Sequence, residues 1–146
     1  MYYEELRVGM SVKTEEVVID KKRMLDFANE YNPLPVHTDE EFAKTTRYGK
    51  VIAPGHMAFM AVWSKYSKVD FFGYELVAGK SSKLEWFRPV FAEDVLVGKA
   101  EITSLTIINR HNGIAELTTE VYNQEDKLVM RNAMEIVVKR KPGENR

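Results

Sequence analysis

The sequence predicts an α+β fold in which a curved antiparallel sheet wraps around one long central helix. Three observations predict it. The stretch beginning Met57-Ala-Phe-Met-Ala-Val-Trp-Ser is apolar nearly all round, and a helix of that character is buried rather than laid on a surface. From residue 76 the hydrophobic period changes from that of a helix to that of a strand, over four segments at roughly 76–87, 95–108, 114–123 and 128–139. The later connections, Asn109 to Gly113 and Asn123 to Lys127, carry the Asn, Gly and Asp of hairpin turns. Consecutive strands joined so briefly form an antiparallel meander, and one apolar helix beside it gives the α+β class.

The elements follow in order. Residues 11–19 read as a first strand on their β-branched content. Asp20 is a credible N-cap, and Met24, Leu25, Phe27 and Ala28 recur at helical spacing, so a short amphipathic helix is expected over 21–31. It must stop before Pro33. The run Asn32-Pro-Leu-Pro-Val-His37 is too rich in proline for regular structure and reads as a rigid turn. Thr38 with Glu41 three residues on has the pattern of a capping box, and Asp39, Glu40 and Glu41 suit the positive end of a short second helix. Gly49 is its stop. The apolar helix then opens at Pro54, which is tolerated only in a first turn, and runs to about Tyr66. The charged segment from Lys139 to Arg146 is expected to fray.

A chain of 146 residues is expected to form one domain, residues 1–146. It has no cysteine, which excludes a disulfide framework and a thiolate metal site. Acidic and basic residues are mixed and nearly balance, at a net charge of −1, which gives no nucleic-acid footprint. No apolar run reaches the length of a membrane span. The opening Met-Tyr-Tyr-Glu-Glu lacks the basic and apolar stretches of a signal peptide, and a cytoplasmic protein is the simplest expectation. A sheet this curved still has an open edge to cover, which predicts a homodimer joined through sheet edges or faces.

Three residues are candidates for chemistry. His37 follows the rigid turn and precedes a capped helix, and histidine is the side chain best poised to exchange protons near neutral pH. Gly55 sits at the start of the apolar helix, whose first N–H groups have no intrahelical partner and are suited to an oxyanion. Glycine there admits a close approach, although a plain hinge is an equal reading. Asn32 offers a carboxamide that can orient water but cannot serve as a base. Pro54, His56 and Tyr31 border these three and are the candidate substrate contacts, with packing the plainer reading of His56 and Tyr31. His111 lies in a hairpin and should face solvent. Trp63 and Trp86 are assigned to the core, and Tyr48 to packing. The histidines lack metal-ligand spacing, and no Gly-rich nucleotide motif or nucleophile elbow occurs, so no metal or cofactor is indicated.

These residues resemble the MaoC-like dehydratases, the (R)-specific enoyl-CoA hydratase group of the hot dog fold. The resemblance rests on Phe27-Ala28, Pro35, His37, Ala43 six residues later, Ile52-Ala-Pro-Gly55, and Leu84-Glu-Trp-Phe-Arg-Pro-Val followed by Glu93-Asp94. It covers nearly the whole chain and implies an acyl-CoA or acyl-carrier thioester as partner. In that family an Asp and a His hold one water and add it across an α,β-unsaturated thioester, whose carbonyl rests on the helix terminus. By position His37 matches the family His and Gly55 the carbonyl-binding glycine. Asn32 stands where the family has Asp, Leu34 where it has Asn, and Met60 where a small polar residue is usual. The resemblance thus implies a hydratase or dehydratase. A thioesterase of the same fold, or a non-catalytic acyl-thioester binder, remains the alternative because of Asn32.

Overall fold

The computed structural model describes residues 1–143. A 3₁₀ turn at Tyr3–Glu5 leads into two short strands, β1 (Ser11–Lys13) and β2 (Val17–Val18). The single strand expected over 11–19 is thus broken in two, and Glu15 and Glu16 occupy the break. Helices α1 (Lys21–Tyr31), α2 (Pro35–Thr38), α3 (Glu40–Ala43) and α4 (Gly55–Tyr66) follow, and then β3 (Leu76–Trp86), β4 (Val95–Ile107), β5 (Asn112–Tyr122) and β6 (Leu128–Lys139).

Local chemistry accounts for the helix boundaries. The Asp20 carboxylate accepts the Arg23 N–H at 2.9 Å, and α1 starts there as expected. The second cap differs from expectation. Asp39, not Thr38, accepts the Phe42 N–H, at 3.0 Å, and so caps α3. The Thr38 hydroxyl instead donates back to the Leu34 carbonyl. Nor is the proline-rich run free of regular structure. Pro35 takes the first position of α2, where its fixed φ and missing N–H cost nothing, and the resulting single turn carries His37.

The sheet is antiparallel in every pairing, with strand order β1-β4-β5-β6-β3 and β2 also pairing with β4. Only β4, β5 and β6 form the expected meander. β3 does not pair with β4 but lies across the sheet against β6, with Leu84 opposite Asn132 and Trp86 opposite Met130. The connection from Phe87 to Asp94 carries the chain from the β3 edge across the sheet to β4, beside the β1 edge, a span that a hairpin cannot make.

The picture of a sheet wrapped around a long central helix does not hold. The sheet is open, with β3 at one edge and β1 at the other. α4 has 12 residues against 11 in α1, so neither dominates by length. Of α4, Ala58, Phe59, Val62 and Tyr66 are buried, whereas Met60 is 53% exposed. An apolar helix is enclosed only if layers cover both its faces, and one open sheet covers one. The α+β class and the antiparallel sheet stand.

The core has two connected parts. Ile19, Met24, Val62, Leu96, Val121 and Met130 pack near the start of α4, and Leu6, Tyr66, Phe72, Ile102, Leu117 and Ile136 near its end. Trp63 touches both, as its core assignment expected. At the chain's end, Lys139 closes β6, and Glu4 accepts bonds from the Arg140 side chain and the Lys141 N–H. The segment expected to fray is therefore anchored through Lys141, and residues 144–146 lie outside the described residues.

Candidate functional site

His37 is fixed from three directions. The turn of α2 is closed by its own N–H on the Leu34 carbonyl at 2.9 Å. The segment before α4 lies alongside, with the Ile52 N–H donating to Val36. The His37 Nδ1 lies 2.7 Å from the Ile52 carbonyl oxygen. A carbonyl can only accept, so Nδ1 carries a proton and donates it, which leaves Nε2 as the nitrogen that can exchange a proton. The residue is only 8% exposed.

Asn32 caps the C-terminus of α1. Its N–H donates to the Ala28 carbonyl and its own carbonyl accepts the Leu34 N–H, so the backbone is pinned on both sides. The half-buried carboxamide makes no hydrogen bond among the described residues and is open to a ligand. Gly55 begins α4, whose ladder starts with the Ala58 N–H on the Pro54 carbonyl. The amides of Gly55, His56 and Met57 precede that ladder. One residue upstream, the Ala53 N–H donates to the Val90 carbonyl at 2.7 Å, which ties the helix entry to the crossover that follows β3.

These elements enclose a cleft of about 390 Å³ that brings Asn32, His37 and Gly55 together. A second cleft, of about 370 Å³, lies next to it, bordered by Phe27, Tyr31 and Pro54. Asn32 and His56 belong to both and form the wall between them. All six residues singled out from the sequence therefore border one bilobed depression. Two of them differ in detail from expectation. His56 does not pack inward: it is exposed and meets the Trp86 ring edge-on, with centroids 5.2 Å apart. Tyr31 is 68% exposed and leans on Phe27 at 5.1 Å. His111 is exposed in its hairpin, as expected.

The largest omission is Trp86. It is not core; it is 44% exposed and lines the first cleft. Its indole lies so close to Gly55 that a Cβ placed there would fall 2.6 Å from Cζ2 and nearer still to Cε2 and Nε1. The close approach that glycine permits is thus made by this indole. Arg47, Tyr48, Phe87 and Arg88 also line the cleft and were missed. The signal was faint: period-2 alternation assigns a face to each strand residue but does not say what lies across from it. Among the described residues, no Asp or Glu lines the cleft. Among the described residues, no group of three or more His, Cys, Asp or Glu is placed to hold a metal ion. No described helix is long and apolar enough to cross a membrane.

Comparison with known proteins places this geometry. The model of a family described as FAS1-like, dehydratase domain region, matches residues 7–132. The chain belongs to this family. It is thereby a member of the MaoC-like, hot dog dehydratase superfamily, as the sequence resemblance indicated. It is similar to the uncharacterised protein YdeM of Bacillus subtilis (strain 168), at 26% identity over 141 residues, covering 96% of this chain and 100% of that one. Among solved structures, a monoamine oxidase regulatory protein from Archaeoglobus is 25% identical with a TM-score of 0.92, covering 97% of this chain and 96% of the other. An (R)-hydratase from A. caviae involved in PHA biosynthesis is 26% identical with a TM-score of 0.72, covering 94% and 99%.

Proposed function

We propose that this protein is a hydratase or dehydratase of enoyl or 3-hydroxyacyl thioesters, a cytoplasmic enzyme built as a single domain over residues 1–146. The observation that carries the reading is the state of His37, whose bond to the Ile52 carbonyl leaves Nε2 as the nitrogen that can exchange a proton in the cleft that holds Asn32 and the α4 terminus. In this reading the Asn32 carboxamide orients a water and His37 Nε2 takes one of its protons. The water oxygen bonds to the β-carbon, and the π electrons of the double bond move toward the thioester carbonyl. The enolate oxygen rests on the amides that open α4, which are preorganised for developing negative charge. His37 then returns its proton to the α-carbon and the carbonyl re-forms. The similarity to an (R)-hydratase supports this assignment.

A thioesterase is the second reading. With Asn32 at the family's Asp position, no described residue gives the cleft a carboxylate base, and an amide-held water suits attack on a polarised carbonyl as well. In either case a homodimer is supported by β3, an 11-residue edge strand exposed along most of its length, whose outer backbone groups are free to pair with a second copy. Incubation with a short trans-2-enoyl-CoA, and separately with its saturated analogue, distinguishes the readings. Loss of the conjugated double bond supports the hydratase; release of free thiol without it supports the thioesterase and overturns the first reading.

A further inference from the structure

The charge of the first cleft carries an inference about its substrate. Arg47 and Arg88 both line the cleft that holds His37, and among the described residues no Asp or Glu does. Among the described residues neither forms an ion pair, whereas Arg131 pairs with Glu120 and Arg140 with Glu4. Arg47 is nonetheless held in place. It donates to the Tyr48 hydroxyl at 2.9 Å, and its guanidinium lies 5.0 Å from that ring's centre. Tyr48 in turn packs edge-on against Phe91, at 6.5 Å, so the Arg47 segment is fastened to the crossover that bears Arg88. Unpaired guanidiniums converging on a cleft form a receptor for an oxyanion.

We propose that Arg47 and Arg88 form an anion subsite that takes a carboxylate on the acyl group of the thioester. The inference rests on the reading that this cleft accepts an acyl thioester. The acyl end, rather than the carrier, is favoured by distance: phosphates of a coenzyme A or carrier thioester lie beyond two amide units of the pantetheine arm, whereas both arginines share one small cleft with His37. The neutral Asn32 fits as well, since a carboxylate there would repel an anionic acyl group and compete for the guanidiniums.

The test uses unreactive thioether analogues of pantetheine, which lack the distal phosphates, ending in a carboxylate, a primary amide or a methyl group. Calorimetry on the wild type should find the carboxylate analogue bound about tenfold tighter than the methyl analogue, the return expected of a charge-assisted pair. The preference should fall with added salt and vanish in Arg47→Gln/Arg88→Gln with the melting temperature unchanged. If that variant does not fold, the salt dependence in the wild type decides alone. Equal binding of the carboxylate and methyl analogues, binding of neither, or a preference that survives both substitutions overturns the proposal. So does a methyl-ended coenzyme A analogue that loses as much affinity in the double variant as the carboxylate analogue does, since phosphate would then be the anion held. Arginine-dependent binding with no hydration of a carboxylated enoyl thioester would retain the subsite and refute the hydratase reading instead.

Discussion

Asn32 and Gly55 are the two residues whose replacement says most about the cleft. Asn32 is held by its backbone on both sides, so Asn32→Asp changes the head group with little cause to move it. If water activation limits the rate, a carboxylate should increase hydration of an uncharged enoyl-CoA, by up to the ~10²–10⁴ that a general base contributes. Steady-state kinetics of the variant check this. At Gly55 two effects oppose. Alanine is a better helix former than glycine by up to about 1 kcal/mol, but its methyl group would meet the Trp86 indole, and overpacking costs about 1–3 kcal/mol. The collision should win, so Gly55→Ala is expected to lower stability in denaturant unfolding. The same substitution in a Trp86→Ala chain should leave stability unchanged or raise it. At this scale the sequence was legible where a residue's placement follows from its neighbours along the chain. His37, Asn32 and Gly55 are set by adjacent prolines and a helix start. Trp86, Arg47 and Arg88 meet across the fold, from a strand end and two separate loops that no local pattern brings together.

Helix starts marked by a capping side chain, and strand spans marked by alternation, could be read closely, whereas the end of α3 at Ala43 rather than Gly49 and the pairing of β3 could not. α1 begins at Asp20 because its carboxylate satisfies the Arg23 N–H. Asp20→Ala should therefore cost about 1 kcal/mol, read as a lower midpoint in urea unfolding with an unchanged slope. Thr38 was mistaken for the second cap because Asp39 beside it has the same capacity, and only the geometry of the preceding turn chooses between them. The strand segments from residue 76 onward were found nearly to their ends, since alternation is a local signal. The partner of β3 was not. A strand followed by an eight-residue connection can either turn back or cross over, and here the connection crosses the sheet to β4 and leaves β3 paired with β6. That crossing has a consequence for the site. It lays Trp86, Arg88 and Val90 beside the entry of α4, where a meander would have carried them away.

On the scale of the whole molecule, the α+β class was legible because the helical and strand periods occupy separate halves of the chain. The enclosure of α4 was not, because composition reports how apolar a helix is and not how many layers cover it. The two ends of the chain meet at Glu4, which accepts from Arg140 at 2.8 Å and from Lys141 at 2.9 Å. Burial alone would raise the Glu4 carboxyl, but these hydrogen bonds outweigh it and hold the group below its ordinary value. A carboxyl lowered on folding contributes stability above its unfolded pKa, about 4.3, and loses it as pH falls through the lower folded value. The stability advantage of the wild type over Glu4→Gln should therefore be full at neutral pH and shrink below about pH 4.3, as thermal melts across that range would show. The central claim is that His37 moves the protons of hydration in the cleft at the start of α4. It is tested most directly by the turnover of a short trans-2-enoyl-CoA in the wild type and in His37→Ala, with unfolding measured alongside. The account predicts hydration by the wild type and a loss of about 10²–10⁴ in kcat in a variant that still folds. Hydration that continues unchanged without the imidazole would contradict it.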